Sequence, residues 1–140
     1  MKNDKMQMSY VPQTTEHKLI TVDGTTDFTL PHGCLVEDVV VVVKTLDTGS
    51  GPATLNIGTT GKVGSAAAAA NYYRSSALDV DSTGGTVGVY GIDATKMMDS
   101  VADNRIVRIT TDGITSSVAE IYAWVNYRFA PSTTTPTRVA

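Results

Sequence analysis

The sequence predicts an all-β fold, a jelly-roll-like β-sandwich of about seven or eight short strands. Three observations carry that expectation. Charged residues make up only 18% of the chain, and Thr, Ser, Gly, Ala and Val take their place. That mix suits strands and tight turns better than a helical bundle, which needs Glu, Lys, Leu and Arg. Residues 39–43 are five consecutive valines, stiff at χ1 and suited to a pleated strand. Residues 119–129 alternate with a strict period of two, the signature of a strand with one face on a core. A length of 140 residues favours one domain with a real core.

Residues 1–16 are polar and aperiodic and read as an arm without a fold of its own. The folded domain is expected over residues 17–130. Leu19, Ile20 and Val22 form its first short apolar segment, and Asp23-Gly24 follows. Phe28 and Leu30 then alternate with polar residues. Asp-Gly between two such runs predicts a hairpin with a type I′ turn. Pro31 and Gly33 end the second strand.

The valine strand has no alternation, so both of its faces are expected to be covered, by two layers or by a neighbouring subunit. Asp47-Thr48-Gly49-Ser50-Gly51-Pro52 is a loop, after which Ala53, Leu55 and Ile57 alternate with Thr54 and Asn56 as a half-buried strand. Ser65 followed by five alanines reads as a short capped helix or a loop excursion outside the sandwich. Val87 and Val89 alternate with Gly88 and Tyr90 as a further strand. Residues 94–104 read as an irregular connection with at most one helical turn. Residues 105–110 form a strand with Val107 and Ile109 inward, and Asp112-Gly113 turns it. In the last strand Ala119, Ile121, Ala123, Val125, Tyr127 and Phe129 point one way, and Glu120, Tyr122, Trp124, Asn126 and Arg128 the other. Residues 131–140 read as an extended tail.

Little in the chain points to chemistry. Cys34 is the single cysteine, so no intrachain disulfide forms, and it reads as a small buried apolar residue. His17 and His32 have no Cys or second His at ligand spacing, and no Gly-x-Ser-x-Gly elbow is present. Asp79, Asp81 and Asp93 read as turn formers rather than calcium ligands. No enzyme activity, metal or cofactor is expected. A net charge of -3 gives no global pull toward DNA or anionic lipid, so neither nucleic acid nor membrane is an expected partner. No signal peptide is apparent, which leads us to expect a protein made in the cytoplasm and soluble there.

Two groups read as candidate partner surfaces. Tyr122, Trp124 and Arg128 share the even face of the last strand, and aromatics with Arg are enriched at interface hot spots. Tyr72, Tyr73 and Arg74 follow the alanine run, whose small residues allow close backbone approach.

The order of these segments is similar to that of small capsid decoration, or cement, proteins of tailed bacteriophages. The likeness runs over residues 30–129. It rests on residues 31–44, where the acidic pair Glu37-Asp38 precedes the valine strand, on the DTGSGPATLNIGTTG hairpin, on the alanine-rich excursion and on the closing AEIYAWVNYRF strand. Lys62-Val63-Gly64 stands where the family pattern has more Asp and Gly. The resemblance implies a virion protein without an active site, on the capsid exterior. It would bridge neighbouring copies of the major capsid protein, often as a homotrimer, with its two arms laid on adjacent subunits. Two other classes fit the same residues: another virion part, such as a head fibre base or tail adaptor, and a carbohydrate-binding sandwich with Trp124 and Tyr122 as its platform.

Val41→Asp is expected to prevent folding, because an unpaired buried carboxylate is very costly. A soluble variant with a cooperative thermal melt would remove the valine strand from the core.

Overall fold

The computed structural model describes residues 12–31, 33–60, 70–97, 99–100 and 106–129. Among them are ten strands: β1 (Gln13–Thr14), β2 (Lys18–Ile20), β3 (Gly24–Thr29), β4 (Cys34–Thr45), β5 (Thr54–Thr59), β6 (Leu78–Asp79), β7 (Gly88–Tyr90), β8 (Asp99–Ser100), β9 (Ile106–Asp112) and β10 (Glu120–Phe129). One turn of 3-10 helix, Ala94–Lys96, interrupts them in the connection expected to be irregular. The strands make two antiparallel sheets. β10 and β4 lie at the centre of a six-stranded sheet, with β1 and β2 along the outer edge of β10 and β7 and β8 along the outer edge of β4. The four-stranded sheet runs β3-β9-β5-β6.

The chain changes sheet at six of the nine steps between these strands; β1–β2, β5–β6 and β7–β8 stay in one sheet. The orders β2-β10-β4-β7 and β3-β9-β5-β6 are those of a jelly roll. The predicted Asp23-Gly24 hairpin is therefore a correction. β2 pairs β10 and β3 pairs β9, so this corner carries the chain from one sheet to the other. The loop before Pro52 and the turn at Asp112-Gly113 do the same between β4 and β5 and between β9 and β10. Gly113 shows why the turn signal was real while the pairing it implied was not. Its φ is +87°, and a Cβ there would lie 2.1 Å from the Pro52 carbonyl oxygen. The backbone needs glycine to turn sharply against a neighbouring corner, and nothing local dictates which sheet comes next.

The core lies between the sheets. Val39, Val41 and Val43 of β4 and Ile121, Ala123 and Val125 of β10 enter it from one side. Phe28, Leu55, Ile57, Val107 and Ile109 enter from the other. All of these are at most 2% exposed, so the period-two reading holds through β5 and β9 and in β10 as far as Val125; beyond the bulge Tyr127 and Phe129 are only half-buried against the core. The valine run alternates in the single chain. Within residues 39–43 the odd positions reach the core, while Val40 and Val42 are half-buried on the outer face of the sheet, so of the two covers expected for that face no second layer among the described residues supplies one. β-branched side chains suit either face of a pleated strand, so a run of valines hides the alternation. The N-terminal boundary also moves. Gln13 and Thr14 already pair with Tyr127 and Asn126, so the ordered sheet begins before residue 16. The expected alanine helix falls at residues 65–70, almost wholly outside the described residues, as do residues 1–11 and the 131–140 tail.

Two buried aspartates pin the corners. Asp47 and Asp81 are 0% and 3% exposed and lie together in an isolated parallel bridge. The Asp47 carboxylate accepts hydrogen bonds from Gly49 N, Thr115 N, Ser116 N and the Ser116 hydroxyl. The Asp81 carboxylate accepts from Ala53 N, Thr83 N, Gly84 N and the Thr83 hydroxyl. Each ties a loop to a segment far away in sequence, and each charge has the full set of donors that burial demands. The serine hydroxyl on Asp47 and the threonine hydroxyl on Asp81, helped by the backbone N–H groups, hold both carboxyls below the ordinary carboxylate range.

Both folded values thus lie below the unfolded value of about 3.9, so the stability these groups contribute is full above about pH 5 and is lost as pH falls through the folded values. The thermal midpoint is expected to hold between about pH 5 and 7 and to drop toward pH 2. Asp81→Asn should melt lower at neutral pH and lose less on acidification. Parallel pH curves for wild type and variant, by scanning fluorimetry, would exclude Asp81 as an acid-sensitive pin.

Candidate interaction surface

The outer face of the six-stranded sheet is built by register. β10 sets Tyr122 opposite Val42 and Trp124 opposite Val40. β2 adds Leu19 beside Tyr122, and β7 adds Val89 beside Val42. Leu19, Tyr122, Val42 and Val89 therefore form one row across four strands, about 14 Å long at ordinary strand spacing. Leu19 is 55% and Val89 70% exposed, while the side chains between them are half-buried against one another. His17, in the bend between β1 and β2, stacks on Trp124 with ring centroids 4.0 Å apart and planes inclined by 15°.

Most charges on this face are closed into pairs, and the Asp38 carboxylate is taken up by the Val39 and Ile92 N–H groups. The Tyr122 hydroxyl donates to Glu120 Oε1 at 2.8 Å, and Lys44 Nζ lies 3.2 Å from the same oxygen. Those two contacts, the hydroxyl first, lower the Glu120 carboxyl from its usual range, and the same bond raises the Tyr122 phenol. Farther along β10, Arg128 donates to Glu37 Oε2 at 2.6 Å across the bulge in the β4–β10 ladder. What remains is a neutral stripe of aliphatic and aromatic side chains.

The outer face of the four-stranded sheet has the opposite chemistry. Thr25, Thr110 and Asn56 make one row there, and the next holds Asp27 and Arg108. The Arg108 guanidinium grips Asp27 with bonds of 2.7 and 2.8 Å, which holds the Asp27 carboxyl low. Such a surface is at ease in water.

Of the six residues singled out from the sequence, Tyr122 and Trp124 sit at the centre of the apolar face and Arg128 at its end. The 72–74 segment lies elsewhere. Tyr73 N and Arg74 N both donate to the Ile57 carbonyl of β5, in the other sheet. Tyr73 is 0% exposed and so corrects the expectation of a surface residue: it is one of the largest core side chains and has no area for a partner. Tyr72 packs edge-on against it and carries Lys96 Nζ 3.9 Å above its ring. Arg74 Nη1 donates to the Gly91 carbonyl, joining two loops. His17, Leu19, Val40, Val42 and Val89 complete the apolar face and were not singled out. Their membership follows from register, which no local pattern records.

The stack on His17 covers one side of the indole. Among the described residues no three His, Cys, Asp or Glu side chains cluster closely enough to hold a metal, and no helix is long and apolar enough to cross a membrane.

The arrangement defines a jelly-roll sandwich with one polar and one apolar outer face. No family model matches the sequence, and no curated protein is close enough to it in sequence to count as a match. Solved structures do share the fold. One is a chain in the capsid asymmetric unit of cyanophage Pam1, 23% identical, with a TM-score of 0.54 over 85% of each chain. Another is a chain in the capsid of Ralstonia phage GP4, 18% identical, with a TM-score of 0.54 over 88% of this chain and 87% of that one.

Trp124 is the sole tryptophan, so its emission reports the stack directly. His17→Ala is expected to raise quenching by acrylamide with little change in thermal midpoint. Unchanged quenching would mean that His17 does not shield the indole.

Proposed function

We propose that this chain is a structural virion protein that binds the outer surface of an assembled phage capsid and bridges neighbouring major capsid subunits. The observation that carries the reading is the neutral apolar face around Tyr122 and Trp124, presented on a fold shared with chains of two phage capsids. Fold alone assigns no function, so the weight falls on the face. A monomeric protein gains nothing from an exposed stripe of this kind unless something covers it. In this reading the major capsid protein covers it, and the threonine-rich face points to solvent.

The mechanism needs no active site or cofactor. A protein that binds the assembled shell and not its separated subunits stabilises the shell by mass action. A homotrimer at a three-fold position would multiply that effect through avidity.

The test adds purified protein to capsids that lack it. We expect saturable binding and a higher capsid melting temperature. Tyr122→Ala and Trp124→Ala together should weaken binding by about 30-fold or more, the scale of a hot-spot loss of about 2 kcal/mol. Binding that survives the double variant unchanged would move the interface elsewhere. No binding, together with absence of the protein from purified virions by quantitative mass spectrometry, would sink the capsid reading.

A further inference from the structure

The edge of the six-stranded sheet is closed by a strap that hardly belongs to the body of the domain. Over residues 13–20 it makes its main-chain contacts with β10. β1 pairs with Tyr127 and Asn126, and β2 pairs with residues 121–123. Between them Thr15 N donates to the Val125 carbonyl, and Val125 N donates to the Thr15 hydroxyl, each at 3.0 Å. Only Ile20 of the strap enters the core, 4% exposed. Its side-chain contacts include Thr14 with Asn126, His17 with Trp124, and Lys18 with the Asp27 carbonyl and the Phe28 ring.

Three residues, Thr21-Val22-Asp23, then carry the chain to β3 in the opposite sheet. The body holds its end of this connection firmly. Ile114 N donates to the Asp23 carboxylate at 2.7 Å, and the Thr111 hydroxyl donates to the Val22 carbonyl at 2.9 Å. Yet two apolar side chains at this corner, Leu19 and Val22, are 55% and 68% exposed.

We propose that residues 12–20 exchange between copies of this chain, each strap closing the six-stranded sheet of its neighbour. The site on β10 is built for one occupant, and a second copy carries that occupant in identical form. Exchange keeps nearly every strap contact, because most are main-chain bonds to β10. The balance between closed and exchanged forms then rests on the connection and on concentration. A tethered strap competes at an effective concentration of roughly millimolar, so the closed form wins in dilute solution. Copies held side by side at comparable local concentration remove that advantage. A straightened three-residue connection reaches only about 10 Å, so exchanging copies must meet at this corner. Their meeting would cover Leu19 and Val22, a gain that the closed form lacks. The inference stands apart from the capsid reading, since it concerns copies of this chain alone.

Thr14 and Asn126 are directly opposite one another across the strap, within the spacing a disulfide accepts. The test uses Thr14→Cys and Asn126→Cys as separate variants, each with Cys34→Ala. The two are mixed, incubated at about 10 μM and at about 1 mM, well below and at the expected crossover, and then mildly oxidised. We expect a disulfide-linked heterodimer whose 14–126 junction peptide is found by mass spectrometry, with a yield that rises steeply with concentration. The double variant in one chain, oxidised at the lower concentration, should give the same junction within a monomer. No heterodimer at the higher concentration, while the double variant closes normally, would overturn exchange. Failure of the double variant to close would overturn it too, because the strap register on β10 is its premise.

Discussion

The pairing of β4 with β10 is the constraint on which the rest of the structure depends. It runs from Cys34 and Phe129 at one end to Thr45 and Glu120 at the other. One face of this two-stranded ribbon supplies the valine and isoleucine half of the core. The other face supplies the apolar stripe. The short strands β1, β2, β7 and β8 pair with one of these two and add width to a ribbon that already exists. A slip of one residue in this ladder would send Tyr122 and Trp124 into the core and Ile121 and Val125 to the surface. Core and interaction surface are thus set by one register.

That register explains what could and could not be read in the sequence. Period-two alternation in residues 119–129 gave the direction of every side chain before the bulge at Asn126 and Tyr127. It gave the inward residues of β5 and β9 for the same reason. Asp23-Gly24 and Asp112-Gly113 were visible as turns because glycine at positive φ leaves a local mark. The sheet that each turn leads into is decided by strands far away in the chain, and no dipeptide encodes it. Tyr73 failed in a similar way. Next to Tyr72 and Arg74 it reads as part of an exposed aromatic pair, but its backbone is drawn onto Ile57 of β5, and that puts its ring inside. Trp124 was legible as a candidate from its strand face. Leu19 and Val89 were not, because each joins the stripe only through a neighbour across the sheet.

The two outer faces divide the labour of the surface. Threonine, asparagine and a bidentate Asp27–Arg108 pair keep one face hydrated. The other has spent its charges on internal pairs, Lys44 with Glu120 and Arg128 with Glu37. The solvent-facing Lys44–Glu120 pair adds little to stability. The effect of both pairs is on recognition: they leave the stripe without a net charge to satisfy, so a partner that meets it need bring none.

The β4–β10 ladder also sets the order of events at the ribosome. Glu37 and Arg128, joined across it, are 91 residues apart in the chain. At ordinary rates of synthesis the second emerges about 5–18 s after the first. For that interval the valine strand has left the exit tunnel and its partner does not yet exist. Local hairpins cannot shelter it, because the strands that follow it immediately go to the other sheet. Before then only the short strands β7 and β8 can pair with it, along one edge, so the edge that faces β10 stays unpaired in the nascent chain until nearly the last residue of the domain is made.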